Sequence, residues 1–124
     1  MEFEFSPEQE AFRQRVRQFI KENWTPPPPT ARPGDDVTNA AEREYEKRLA
    51  RNGWLTMAWP KEYGGGGASY MRQLVYNEEM AYAGAPVSNM GIAWVGPSLM
   101  LYGTEEQKAR WLEPLLAGEI RSAF

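Results

Sequence analysis

The groups in this 124-residue chain that could do chemistry are oxygen-based, because it contains no cysteine and no histidine. That composition removes thiolate nucleophiles, disulfides, the usual zinc sites and every histidine acid–base arrangement. Carboxylates occur in three adjacent pairs, Asp35-Asp36, Glu78-Glu79 and Glu105-Glu106. Adjacent positions point apart on a helix, so none of these pairs converges as a catalytic dyad must. Solvation or capping accounts for them. Glu78 stands out because it falls at the apolar spacing of its helix: it is either a buried functional acid or, more ordinarily, an edge residue paired with an Arg or Lys. The glycine run Gly64 to Gly67 lacks a following Lys-Ser/Thr and follows no predicted strand, so it fails as a phosphate loop. No catalytic and no cofactor-binding residue can be assigned from spacing.

The connector from Asn52 to Ser69, which holds those glycines, also carries Trp54, Trp59, Pro60 and Tyr63. Large rings with one polar edge serve best where the ring packs inward and its N–H or O–H finds a partner. Flexible linkers carry no such residues. The stretch is expected to be an ordered loop docked on a helical body.

Charge and length narrow the class further. Fourteen basic against seventeen acidic side chains, a net charge of −3, argue against nucleic acid as a partner. No window is long and apolar enough to span a bilayer, and the N-terminus lacks the pattern of a secretory signal, so a cytoplasmic chain is the default expectation. The length suits one domain with a real core.

Five or six helices are expected to build it. Ser6-Pro7-Glu8-Gln9 reads as a capping box, opening a helix from Pro7 to about Asn23 with Phe12, Val16, Phe19 and Ile20 on one face. Pro26 to Pro29 then act as a stiff spacer. A second helix is expected to start at Thr38-Asn39, with Ala41, Tyr45 and Leu49 as a narrow seam and the surrounding charges, Glu46 among them, solvated. A third runs from Tyr70 to Tyr82 behind a Ser69 cap, with Met71, Leu74, Val75 and Tyr82 inward. Ser88 to Tyr102, almost without a polar face, is expected to be the central buried helix, kinked or divided at Gly96-Pro97. It is either core or one wall of an apolar pocket. Thr104-Glu105-Glu106-Gln107 caps a last helix with Trp111, Leu112, Leu115 and Leu116, its final turn tightened by Pro114 and stopped by Gly118. Residues 119–124 alternate polar and apolar like the start of a β-strand. The expected architecture is therefore all-α over residues 1–118, with residues 119–124 opening a β-domain and the sequence forming the front part of something larger.

Five segments resemble, in order and spacing, the N-terminal helical domain of acyl-CoA dehydrogenases: Ser-Pro-Glu-Gln-Glu at 6–10, Gly-Trp-Leu at 53–55, Trp-Pro-Lys-Glu-Tyr-Gly-Gly at 59–65, Tyr-Gly-Thr-Glu-Glu-Gln-Lys at 102–108, and Trp-Leu-Glu-Pro-Leu-Leu-Ala-Gly-Glu at 111–119. The resemblance implies FAD as cofactor, an acyl-CoA thioester as substrate, and a β-domain and a C-terminal helical domain, or a partner subunit, in a homo- or hetero-oligomer. It further implies α,β-desaturation, in which a glutamate of the C-terminal domain takes the α-proton and the flavin accepts the β-hydride. The flavin-binding run and that glutamate would lie beyond Phe124. By the same resemblance the segment from Ser88 to Tyr102 lines the acyl side of the pocket, with Met90, Ala93, Trp94 and Pro97 facing the acyl group, and the loop form suggests bulky, steroid-like esters. Two other readings remain open at this point: a non-catalytic helical interaction module, and a flavin oxidase or monooxygenase on the same fold.

Overall fold

A computed structural model describes residues 4–86 and 91–119. Among them are five α-helices and no strand: α1 Pro7–Asn23, α2 Asp36–Arg51, α3 Tyr70–Ala83, α4 Gly96–Tyr102 and α5 Glu105–Leu116. A 3-10 turn spans Lys61–Tyr63, and a π-helical turn, Gly91–Val95, leads directly into α4. The all-helical expectation holds, while the strand expected from residue 119 onward falls almost wholly outside the described residues.

Local signals set most helix boundaries. The Ser6 hydroxyl accepts from the Gln9 amide at 3.2 Å, and the Gln9 side chain returns the bond to the Ser6 amide at 2.8 Å. Thr104 and Gln107 repeat the same reciprocal cap at α5, and Ser69 caps α3 through the Arg72 amide. Each pair satisfies N–H groups that the helix itself leaves without partners. The start of α2 differs from expectation. Asp35, not Thr38 or Asn39, is its cap, one carboxylate oxygen accepting from the Thr38 amide at 2.8 Å and the other from the Arg32 amide at 2.7 Å. The Pro33-Gly34 turn, with Gly34 at φ 87°, brings those two amides to one carboxylate, and the helix starts earlier.

The core is shared by α1 (Phe12, Val16, Ile20), α2 (Tyr45, Leu49), the loop (Leu55, Met57, Trp59) and α3 (Val75, Tyr76, Met80), closed below by Leu112 and Leu115. Trp54 is the joint between them, its ring packing edge-on against Phe12 and Tyr76 and tilted against Phe19. Three expected faces are corrected. Glu46 is buried rather than solvated, at 2% exposure, because it lies next to Tyr45 on the inward side and its backbone carbonyl is approached by Gly118. On α3 the inward residues are Val75, Tyr76, Glu79 and Met80, while Leu74 is exposed and Tyr82 is 94% exposed. Arginines on α1 capture Glu79, and Trp54 captures Tyr76, so the helix is turned about one residue from the position that apolar spacing alone selects.

The third correction concerns the apolar segment, whose residues 88–90 lie outside the described ones. From Gly91 on it is divided where Gly96-Pro97 predicted, but it is not a central buried helix. Gly91, Ile92, Gly96 and Met100 face the core, and Trp94, Leu101 and Tyr102 are exposed, Tyr102 by 87%. It is a two-sided wall at the edge of the domain, greasy on both sides.

Candidate functional site

Between that wall, α3 and the loop lies a cleft of about 570 Å³. Its construction starts in the loop. Every amide of the glycine run is turned back onto the loop's own carbonyls: Gly64 to Lys61, Gly65 to Pro60, Gly66 to Thr56 and Gly67 to Trp59, at 2.9–3.2 Å. This self-closure makes the aromatic loop rigid. The same amides are therefore spent and offer no cradle to a dinucleotide pyrophosphate, so the glycines do not fit a flavin-phosphate role.

The rings held by this loop then reach across to the wall. The Trp59 Nε1–H donates to the Ile92 carbonyl at 2.9 Å, and the Tyr63 hydroxyl to the Met100 carbonyl at 3.4 Å. Each ring thus packs inward with its polar edge satisfied, as the sequence of the loop suggested. Trp54, Trp59, Tyr63, Ile92 and Met100 give the cleft aromatic and aliphatic sides; Gln73, Tyr76 and Asn77 bring α3 along another. Gln73 is held in place by a 2.9 Å bond to the Ala68 carbonyl.

The residues expected to face an acyl group separate in space. Ala93 and Pro97 both line the cleft. Trp94, between them in sequence, lies instead on a second, shallower groove with Ser98, Tyr102 and Gln107, and is 60% exposed. A π-turn rotates successive side chains by less than an α-helix does, and a residue next to a cleft-lining one is carried to another side. Met90 lies outside the described residues. Spacing missed the contributions of Tyr76 and Leu101 to the cleft; for Trp54, Trp59 and Tyr63 the signal was present, in the density of aromatics within a connector.

Two groups of titratable residues border this region. Tyr76 is 5% exposed and its hydroxyl has no hydrogen-bond partner among the described residues. Burial first, then the nearby Tyr45 and Glu46, push its phenol above the ordinary value of 10, so it stays protonated. On the other side of α3, Glu79 accepts from Arg13 Nη1 at 2.7 Å and from Arg17 Nε at 2.8 Å, and Glu78 accepts from Arg13 Nη2 at 3.0 Å. Burial acts to raise the Glu79 carboxyl, but the bonds and charges of Arg17 and Arg13 outweigh it and hold it below its ordinary value. Glu78 is the paired edge residue, and the buried acid is its neighbour. Both oxygens of Glu79 are committed to joining α1 to α3, a structural use. Among the described residues no group of carboxylates could hold a metal ion, and no helix is long and apolar enough to cross a membrane.

What the geometry defines is a helical domain with a rigid, aromatic-sided cleft suited to holding an apolar group away from water. Residues 6–119 match the family model described as acyl-CoA dehydrogenase, N-terminal domain. The chain belongs to the acyl-CoA dehydrogenase family and corresponds to that N-terminal helical domain. It is 39% identical to acyl-CoA dehydrogenase FadE26 of Mycobacterium tuberculosis, over 97% of this chain and 31% of the relative. Its fold matches a chain in the crystal structure of the ChsE4-ChsE5 complex from Mycobacterium tuberculosis, with a TM-score of 0.79 and 40% identity, covering 98% of this chain and 30% of that one. A structure titled Tcur3481-Tcur3483 steroid ACAD matches with a TM-score of 0.76 and 34% identity, covering 98% and 32%. The chain thus spans about a third of the length of the relatives it matches. Members of the family are flavoproteins.

Proposed function

We propose that this domain forms the acyl-side wall of an FAD-dependent acyl-CoA dehydrogenase that desaturates a bulky, ring-bearing acyl-CoA thioester between its α and β carbons. The observation that carries the reading is the cleft itself, whose volume exceeds the needs of a short acyl chain and whose sides carry indole and phenol rings. The steroid description of one structural neighbour supports the same substrate class. In this role Ala93 and Pro97 face the acyl group, and the domain contributes positioning and exclusion of water rather than a bond-making group. Flavin and base belong to other parts of the complete enzyme.

Trp94 has a different task. Together with Tyr102 it leaves an apolar face open beside the cleft, the kind of surface that marks a contact with other protein. It docks against the remaining domains of the enzyme or a partner subunit, in keeping with the two-component neighbour. Localisation in the cytoplasm fits an enzyme of soluble thioesters.

The test is photolabelling of the protein, expressed from its complete reading frame, with an acyl-CoA carrying a diazirine on a ring-bearing acyl group. Peptide mapping should place the adduct between residues 91 and 101 or between 54 and 63. Labelling confined to peptides outside both stretches, with turnover intact, would remove this domain from the pocket.

A further inference from the structure

Trp59 is fixed at more points than a core residue requires. Its backbone N–H donates to the Thr56 carbonyl at 3.0 Å, its carbonyl accepts from the Gly67 amide at 2.9 Å, and its indole N–H holds the Ile92 carbonyl at 2.9 Å. Two glycines make room for it. A β-carbon on Gly65 would overlap the Trp59 backbone, and one on Gly96 would overlap the ring at Cζ2 and Cη2. The ring therefore seats on the bare backbone where the π-turn passes into α4, between the two cleft residues Ala93 and Pro97.

That contact falls on the π-turn itself. In the i→i+5 pattern the carbonyls at the turn are displaced from their ordinary helical partners, and the following Pro97 has no N–H to offer. Ile92 is buried, and Trp59 brings its carbonyl a hydrogen bond from 33 positions away in sequence. Tyr63 adds a weaker bond at the other end of the wall, on Met100. The wall is thus tied to the loop by an indole that also forms part of the cleft surface.

We infer that Trp59 is the positioning residue of the cleft: it fixes the distance of the Ala93–Pro97 wall from the aromatic side and so sets which acyl shapes the cleft accepts. The specificity part rests on the acyl-pocket reading above; the clamp itself does not. A Trp59→Phe substitution removes the N–H and shortens the ring while leaving an aromatic residue in the core.

Hydrogen–deuterium exchange separates the two parts. In Trp59→Phe, amides in residues 91–101 should exchange roughly tenfold faster, the effect of removing one buried hydrogen bond between loop and wall, while those in α1 and α3 keep their rates. Equal acceleration everywhere, or none, overturns the clamp. Gly96→Ala, which keeps the donor but displaces the ring, should give the same local pattern; a uniform change or none there overturns the clamp even if Trp59→Phe does not fold. In the protein expressed from its complete reading frame, the preference in kcat/KM for a fused-ring over a straight-chain acyl-CoA should fall roughly tenfold in Trp59→Phe, chiefly through a higher KM for the fused-ring ester. An unchanged preference overturns the specificity role. If the unaltered protein desaturates neither ester, the acyl-pocket reading and the specificity role fall together, and the exchange rates still decide the clamp.

Discussion

Arg13 on α1 and Glu79 on α3 meet at 2.7 Å, with 11% and 7% of their side chains exposed, and Arg17 takes the other Glu79 oxygen at 2.8 Å. This is the polar seam of the tightest helix pair in the domain. With both oxygens bonded, the buried carboxylate recovers its desolvation cost, but removing it leaves the largely buried Arg13, over the Phe5 ring, without its main counter-charge.

Glu79→Ala should therefore destabilise the domain by about 3 kcal/mol, toward the low end for a broken buried pair because Arg17 remains partly hydrated. Glu78→Ala, one residue away and exposed, should cost about 0.5 kcal/mol or less. Urea denaturation followed by circular dichroism compares the two, and equal effects would contradict the assignment of the buried acid to position 79.

The same carboxylate gives the domain an acid limit. Its folded-state pKa lies below the ordinary value of 4.5, so the unfolded chain binds the proton more tightly and stability rises with pH through this window. The contribution is fully present above about pH 5 and is lost as pH falls through the depressed folded value. The Asp35 cap, also depressed, by its bonds from the Arg32 and Thr38 amides, adds to the same trend. Thermal melts from pH 7 to pH 3 should show a shallower acid slope in Glu79→Gln than in the unaltered chain.

Gly96 and Trp59 should behave as a matched pair. Gly96→Ala alone ought to cost about 1–3 kcal/mol by overpacking the indole, whereas in an open helix the same change would be favourable. Combined with Trp59→Phe, the added methyl finds space, and the two losses should fall short of their sum by about 1 kcal/mol or more. Strict additivity in a denaturation cycle would mean that the ring does not sit on Gly96.

Tyr76→Phe tests the buried hydroxyl. Because it makes no hydrogen bond among the described residues, its removal should leave stability unchanged or raise it by up to about 1 kcal/mol. A loss of 2 kcal/mol or more by urea denaturation would show that the phenol is anchored in solution.

The chain by itself determined what depends on residues within about four positions of one another. The capping boxes at Ser6 and Thr104, the Ser69 cap, the break at Gly96-Pro97 and the order of an aromatic, glycine-bearing loop are all of that kind, and they sufficed for an all-helical domain and its family. Tertiary structure decided which face of each helix turns inward. That choice was made by partners far away in sequence: Arg13 reaching Glu79 across 66 positions, Trp54 taking Tyr76, and Trp59 holding Ile92. Periodicity ranks faces by hydrophobicity, and where two adjacent faces are nearly equal, as on α3 and along residues 91–102, a buried ion pair or one indole N–H is enough to select between them. For that reason the turn of Trp94 away from the groove lined by Ala93 and Pro97 could not be foreseen.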